Sequence, residues 1–196
     1  MLRLVKAVFS SVLVWMSFGS LCAFASSART LDLPETAHQA EVIADVTVQK
    51  LTSYWSTPGG VRSIHTRVDF SVNRVIKGSV ASTISLEFLG GEVQNRGLKV
   101  PGVPQFSVGE RFIIFSHAPG LPFVSPIVGL DQGSLRVVHD SESNVDRVFR
   151  HWGQPVSEQE DFKSRVPVSP ATDRNYLRSA NTVDHFAERV TRLLNQ

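Results

Sequence analysis

Serine and histidine, the residue types of nucleophilic hydrolysis, occur in this chain without the spacing that such chemistry uses. In enzymes of this kind the nucleophile lies beside a histidine, in a turn with a recognisable sequence. This sequence has no G-x-S-x-G or comparable frame. Ser134 and His139 are close in the chain, but five residues apart on a predicted strand they point to opposite faces. The sequence therefore predicts no catalytic residue, and a hydrolase would need residues that meet only in the folded chain.

Metal ligands and phosphate-binding loops are not indicated either. The six histidines show no H-x-x-x-H or other short paired spacing of the kind that zinc sites draw from one local element. Residues 90–97 lack both the G-x-x-x-x-G-K and the G-x-G-x-x-G frame. A glycosidase would need a pair of carboxylates. The candidate acids lie on predicted strand edges or loops, where solvated acids are the norm; they are Glu87, Glu92 and Glu110. We therefore expect no metal site and no cofactor.

The residues best suited to binding lie in the long connection 90–110, which holds five glycines and two prolines. Connections of that length in a compact fold are often functional. Polar side chains stand there beside apolar ones, as in interaction surfaces. The candidate binding residues are Glu92, Arg96, Lys99, Pro104 and Phe106. The alternative is a connection that only packs down and closes one end of the domain.

Alternating apolar residues predict the strands that position this connection. Residues 41–51 and 64–77 alternate, the second with a β-bulge near residues 74–76, where Val75 and Ile76 are adjacent. The unbroken apolar run within residues 111–116 predicts a central strand that is buried on both faces. The other predicted strands are residues 83–89, an edge strand limited by Pro126 at residues 123–128, and a final hairpin of residues 135–139 and 145–149.

Helical segments are predicted at both ends of the domain. Pro34 suits the first turn of a short helix that ends near Ala40. Asn181 or Thr182 is expected to cap a terminal helix whose apolar stripe docks on the domain. That stripe consists of Val183, Phe186, Val190 and Leu193. The predicted organisation is a β-barrel domain at 34–152, a linker or packed loop at 153–180, and the helix at 181–196.

The first residues have the pattern of a cleavable secretory signal peptide. Arg3 and Lys6 precede an apolar run, and Ala23 and Ala25 are small residues where a signal peptidase requires them. We expect cleavage after Ala25, hence a periplasmic or secreted protein without a stable membrane anchor. The alternative is an uncleaved anchor, although serines and a glycine dilute the apolar run.

Removal of residues 1–25 changes the charge of the chain. The net charge of +2 in the full sequence becomes zero, because 18 basic and 18 acidic residues remain. A neutral chain lacks the clustered positive charge that nucleic-acid binding requires, so nucleic acid is not an expected partner. The single cysteine, Cys22, leaves with the signal peptide, so the domain relies on its core rather than on disulfides.

Several short motifs together resemble a class of small exported bacterial proteins of unassigned function. They are A-D-V-x-V at residues 44–48, F-x-V-x-x-V-I-K-G at 70–78, Gly90-Gly91, and P-x-F-x-x-G-E at 104–110. The first two, with G-E-x-x-x-x-F, also resemble the netrin-type modules of tissue inhibitors of metalloproteinases, over residues 35–150. That resemblance implies a small all-β, five-stranded OB-type barrel. Those inhibitors cap a catalytic zinc with an N-terminal cysteine, which the mature chain lacks, so their mechanism is not carried over.

These observations favour an exported, non-enzymatic β-barrel module that binds an extracytoplasmic protein or envelope component. The runner-up is an extracytoplasmic hydrolase whose site is assembled only in three dimensions. A concave pocket with convergent polar groups and perturbed acids would favour the enzyme, and a flat or apolar rim formed by residues 90–106 would favour binding.

Overall fold

A computed structural model describes residues 29–118, 124–158 and 174–196. The predicted signal peptide, residues 1–25, lies outside the described residues. The described part is mostly β, with eight strands: β1 Val42–Ser56, β2 Ser63–Lys77, β3 Thr83–Leu89, β4 Gly91–Val93, β5 Arg96–Leu98, β6 Arg111–Ser116, β7 Ser134–Asp140 and β8 Val145–Arg150. The helices are α1 Leu33–Gln39, α2 Arg174–Ser179 and α3 Val183–Leu194, with one 3-10 turn at Pro58–Gly60.

Six strands form one antiparallel sheet in the order β3-β2-β1-β6-β7-β8, and β4 and β5 form a second, two-stranded sheet. Three hairpin-connected strands, β1 to β3, are followed by a long connection that returns β6 to the side of β1, which is a Greek key. Among the described residues no pairing joins β3 to β8, so closure of the sheet into a barrel stays a prediction. The predicted central strand is confirmed, because β6 and β1 occupy the middle of the sheet.

The two long strands β1 and β2 are bent by bulges, and the predicted bulge is confirmed. Ile43 pairs with Lys77 and Ala44 with Val75, which leaves Ile76 as the extra residue. The prediction that the first strand ends at residue 51 was too short. Residues 52–56 continue β1 and pair with the start of β2. Their side chains are half-buried on both faces, so no apolar alternation marks them in the sequence.

Apolar side chains cover both faces of the sheet, and β6 supplies both layers. Ile113 and Phe115 face the first core, which α1 and α3 cover. Phe112 and Ile114 face the second core, within the curve of β1, β2 and β3. Alternate residues of a strand point to opposite faces, so burial on both sides explains the unbroken apolar run in β6.

The terminal helix docks as the stripe predicts. Thr182 is the N-cap, and its hydroxyl accepts a hydrogen bond from the backbone N–H of His185 at 3.3 Å. Phe186 and Val190 are fully buried in the first core. The ring of Phe186 lies 6.3 Å from that of Phe115, edge to face.

The predicted edge strand at residues 123–128 is wrong for the part that the structure describes. Within residues 124–128 only Ile127 forms a bridge, to Ser116. Pro126 has no N–H to donate, so a ladder cannot extend through it. At the end of the sheet, residues 154–156 cover the edge of β8, and the Val156 N–H donates to the carbonyl of Val148 at 3.0 Å.

Candidate functional site

The connection from residue 90 to residue 110 contains a small hairpin. β4 and β5 pair through Val93 and Arg96, with Gln94 and Asn95 in the turn. The sequence indicated an irregular connection, because strands of three residues are too short to show a period. Gln94 has a φ of 56°, the left-handed region that tight hairpin turns require. We call residues 91–98 the β4–β5 hairpin.

Gly91 seats the base of this hairpin on the sheet. The hydroxyls of Ser53 and Thr66 are 2.8 Å apart, and the Thr66 hydroxyl also donates to the carbonyl of Gly90 at 2.7 Å. A Cβ on Gly91 would lie 2.1 Å from Thr66 Oγ1 and 2.7 Å from Ser53 Oγ. Its φ of 128° is also one that side-chain-bearing residues rarely adopt. The backbone therefore lies directly on two strand side chains, which only glycine permits.

Two of the five candidate binding residues are buried or half-buried rather than exposed, and Phe106 packs against the second core. The Phe106 ring centroid is 5.4 Å from that of Phe70, 5.2 Å from Phe88 and 5.0 Å from Phe112. Pro104 is buried. These two residues hold the connection against the sheet, so the alternative of a connection that packs down describes residues 103–106.

The three polar candidates are exposed on the hairpin and just after it. Glu92 lies opposite Gly97 and Arg96 lies opposite Val93 in the register. Side chains of successive strand residues alternate, so Glu92 and Arg96 project from opposite faces of the hairpin. Within the described part of the chain, Glu92, Arg96 and Lys99 make no hydrogen bond or ion pair. The structure thus brings them onto one element but not into one cluster.

A second constellation, which the sequence did not predict, lies on the outer face of β2 and β3. Ser63 Oγ is 2.9 Å from His65 Nε2, and His65 Nδ1 is 3.0 Å from Glu87 Oε1. Ser63 and His65 are two apart on β2 and share a face. Glu87 reaches them from β3, diagonally across the pair His65↔Leu89. Strand alternation alone would predict that Ser63 and His65 share a face of β2. The approach of Glu87 could be known only from the register between β2 and β3.

Tyr54 completes this constellation from β1, where it pairs with His65. Burial, and then a hydrogen bond to Glu87, raise the pKa of Tyr54 to about 12. The Tyr54 phenol therefore stays protonated near neutral pH beside the Glu87 carboxylate. His65, between Ser63 and Glu87, is only 7 % exposed. A hydroxyl, an imidazole and a carboxylate in series have the connectivity of a nucleophile, a base and a group that orients the base.

A charged groove of about 440 Å³ lies where β6 begins and β7 continues beyond it. Its floor includes Arg111, which contacts two carboxylates, and His139, whose Nδ1 lies 2.8 Å from Asp146. Arg136 at its rim is paired with Glu110 at 2.6 Å. Each of these three side chains has a carboxylate partner, so the groove offers no excess positive charge to an anion.

Within residues 29–118, 124–158 and 174–196, no three His, Cys, Asp or Glu side chains are grouped so as to hold a metal ion. None of the helices in these same ranges has the length and apolarity to cross a membrane.

Comparison with family models, with curated proteins and with solved structures finds no match to this chain.

Proposed function

We propose that this chain is an exported, non-enzymatic module that binds an extracytoplasmic protein or envelope component through the β4–β5 hairpin. The observation that carries the proposal is the hairpin itself, which holds Glu92 and Arg96 exposed and without partners in the described structure, on a base fixed to the sheet. Exposed polar side chains on a rigid scaffold are what binding loops share.

The proposed fold is an OB-type barrel like that of the netrin modules. The Greek-key order of β6, β1, β2 and β3 supports it, because the OB-fold is a partly open Greek-key barrel. The bulges of β1 and β2 support it as well, since bulges increase the twist and bend that closure requires. A barrel of this type would present the hairpin at its rim.

Pre-organisation makes the hairpin suited to binding. Gly91 fixes the N-terminal side of the hairpin on Ser53 and Thr66, and the Phe106 ring packs the connection that follows the hairpin against the second core. A contact surface that is already ordered loses less conformational entropy on association. The side-chain contacts would then contribute to affinity with little loss to ordering of the backbone.

The two-faced arrangement of the hairpin defines the partner. Glu92 and Arg96 project from opposite faces, so a partner that contacts both must enclose the hairpin in a cleft. Arginine is enriched among the few residues that carry most of an interface's binding energy. Arg96 is therefore the principal contact residue, with Glu92 and Lys99 as its polar surroundings.

The test uses the mature chain to recover a partner from native envelope extracts, followed by binding measurements with the purified partner. Arg96→Ala should weaken binding at least about tenfold, which corresponds to about 1.4 kcal/mol, and leave urea unfolding unchanged. Arg192→Ala is the matched control, because Arg192 is an exposed arginine on α3. Unaltered binding by both Arg96→Ala and a Glu92→Ala, Lys99→Ala double variant would place the binding site elsewhere.

The series Ser63, His65 and Glu87 favours a second candidate function, an extracytoplasmic hydrolase of carboxylic esters. Ser63 Oγ would attack the carbonyl carbon while its proton passes to His65 Nε2, and Glu87 would stabilise the resulting imidazolium through Nδ1–H. His65 would then protonate the departing alcohol, leaving an acyl group on Ser63. Water, deprotonated by His65, would release the acid and restore the serine.

A fluorophosphonate probe tests this candidate independently of the hairpin. The probe should label Ser63 in the wild-type protein, and both Ser63→Ala and His65→Gln should abolish labelling. Ser85→Ala is the matched control, because the Ser85 hydroxyl donates to Asp69 at 2.6 Å and has no histidine beside it. A folded wild-type protein that takes up no label would exclude the hydrolase while leaving the binding proposal untouched.

A further inference from the structure

β3 is an edge strand of the six-stranded sheet, and its backbone bonds to β2 alternate along its length. The Gly90 N–H donates to the carbonyl of Ile64 at 2.8 Å, and the Val72 N–H donates to that of Ser82 at 2.8 Å. Between these two bonds the register of β2 and β3 runs without a bulge. Hydrogen-bonded pairs alternate with other pairs in an antiparallel ladder. The even-numbered residues of β3 therefore direct their N–H and C=O groups toward β2, and the odd-numbered residues direct theirs away.

The outward-directed backbone of β3 is open over most of the strand. At its end the Leu89 N–H donates to the carbonyl of Val124 at 3.0 Å. The backbone groups of Thr83, Ser85 and Glu87 have no partner in the part of the chain that the structure describes, and the side chains of these three residues are exposed. We call residues 83–87 the open edge.

The opposite edge of the sheet is treated differently. On β8 the Val148 N–H donates to the carbonyl of Asn181 at 2.9 Å, and the Arg150 N–H donates to that of Gln154 at 2.7 Å. An edge that is not covered is a template for another strand, unless proline, lysine or a bulge interrupts it. β3 contains none of these three devices. The open edge is therefore suited to pairing with a further strand.

The backbone of the open edge is complementary to itself. In an antiparallel pairing about a two-fold axis at Ser85, that residue lies opposite Ser85 of the second copy, and Thr83 lies opposite Glu87 of the second copy. Every open residue then belongs to a hydrogen-bonded pair, and the two members of such a pair exchange two hydrogen bonds. An interface formed in this way uses the same patch on both copies, as two-fold dimers do.

The side chains select the same register. Ile84 and Leu86 are buried in the second core and would lie opposite each other across the axis, so the apolar face continues into the second copy. On the outer face Glu87 would meet a threonine hydroxyl rather than a like charge. An axis at Glu87 instead would place two glutamates directly opposite, which is destabilising. It would also require Leu89, whose N–H is already bonded to Val124.

We propose that the open edge of β3 pairs with the open edge of a second copy of this chain, antiparallel and centred on Ser85. The proposal requires the proposed barrel to be open along residues 83–87, which a partly open OB-type barrel allows. It does not rest on the β4–β5 hairpin, so Arg96→Ala should leave the dimer unchanged.

Sedimentation velocity of the mature protein tests the proposal over a range of concentrations, and a mass that rises toward that of a dimer is expected. Ser85→Pro removes the central outward N–H and should abolish the dimer, because proline is tolerated on an edge strand where its nitrogen faces away from the ladder. Ser85→Ala is the matched control. It also loses the hydrogen bond from the Ser85 hydroxyl to Asp69 but keeps the backbone N–H, so it should dimerise as the wild type does.

Two lysine variants test the register without changing the backbone. Thr83→Lys would face Glu87 of the second copy and should tighten the dimer at least about threefold. Ser85→Lys would face the same lysine of the second copy and should weaken the dimer by a similar factor. High salt should reduce both effects, because it screens exposed charges.

Three results would overturn the proposal. A mature protein that stays monomeric up to about 1 mM would leave the open edge to a strand of another protein. Equal dimerisation by the wild type and a folded Ser85→Pro variant would place the interface elsewhere. If Ser85→Pro does not fold, the lysine variants decide, because a shift in the same direction by Thr83→Lys and Ser85→Lys would contradict the antiparallel register.

Discussion

Arg111 on β6 holds the buried carboxylate of Asp45 on β1 with two hydrogen bonds, of 2.8 Å from Nε and 2.6 Å from Nη2. The Asp45 side chain is only 2 % exposed, and Asn73 on β2 adds a third bond at 3.0 Å. The same guanidinium reaches Asp146 on β8. These bonds raise the pKa of Arg111 above its usual range, through Asp45 foremost. One arginine thus links three strands where the first core gives way to polar side chains.

Removal of Arg111 should therefore destabilise the sheet. Arg111→Met leaves the Asp45 carboxylate buried without its cation, and we expect a loss of about 3 kcal/mol in the free energy of unfolding. Urea denaturation measures this loss. Arg136→Met is the matched control, since its ion pair with Glu110 is more exposed and such pairs contribute about 0–1 kcal/mol. Equal stability of the two variants would contradict a supporting role for Arg111.

Asp146 should make stability sensitive to acid. A hydrogen bond from His139, and then one from Arg111, lower the pKa of Asp146 in the folded protein. A lowered folded-state pKa gives a stabilisation that is present above the unfolded value of about 3.9 and is lost as the pH falls through the folded value. Urea midpoints between pH 7 and pH 2.5 should decline less steeply below pH 4 in Asp146→Asn. An unchanged acid decline in that variant would show that Asp146 is not linked to folding.

The regular strands were predictable because their signals are local. Residues 83–89 alternate cleanly between exposed and buried positions, and β3 has those same bounds. The apolar run of β6 and the apolar stripe of α3 likewise reflect which faces of these elements are covered. The spacing of apolar residues in the sequence is enough to reveal this. Burial follows residue type at these positions, so the sequence suffices.

The candidate sites depended on register, which local patterns do not encode. Glu87 meets His65 only because β3 pairs with β2 in one particular offset. The β4–β5 hairpin was missed because its strands are three residues long, and because the role of Gly91 is to approach two hydroxyls on other strands. The candidates Pro104 and Phe106 show the same limit, since composition alone does not distinguish an apolar contact residue from one that fills a core.

Phe106→Ala should lower stability, in contrast to the exposed residues of the hairpin. Its ring packs against three other phenylalanines, and large-to-small changes at aromatic core positions cost about 3–5 kcal/mol when the ring is fully buried. Phe106 is half-buried, so we expect about 2 kcal/mol by urea denaturation. Arg96→Ala should stay within about 0.5 kcal/mol of the wild type. A Phe106→Ala variant as stable as the wild type would mean that the connection is not anchored there.

Phe186→Ala tests the docking of the terminal helix. The ring is fully buried against the first core, so its loss should cost about 3 kcal/mol. Glu188→Ala on the exposed face of α3 is the control and should change stability by less than about 0.5 kcal/mol. Unfolding curves that coincide for Phe186→Ala and the wild type would show that the helix is not part of the cooperative unit.

Gly91→Ala should displace the base of the hairpin without breaking the cores. The new methyl group would overlap the Thr66 and Ser53 hydroxyls, and a φ of 128° is strained for alanine. Unfavourable backbone conformations of this kind cost about 1–3 kcal/mol. Amide NMR shifts should change over residues 90–98 and remain in place in β6 and α3, and the free energy of unfolding in urea should fall by about 2 kcal/mol.

Adding Thr66→Ala to Gly91→Ala removes the closest contact but not the backbone strain, so it should restore stability only in part. Full recovery would assign the whole cost to the clash, whereas unchanged shifts in Gly91→Ala itself would show that the hairpin does not lie on these two hydroxyls.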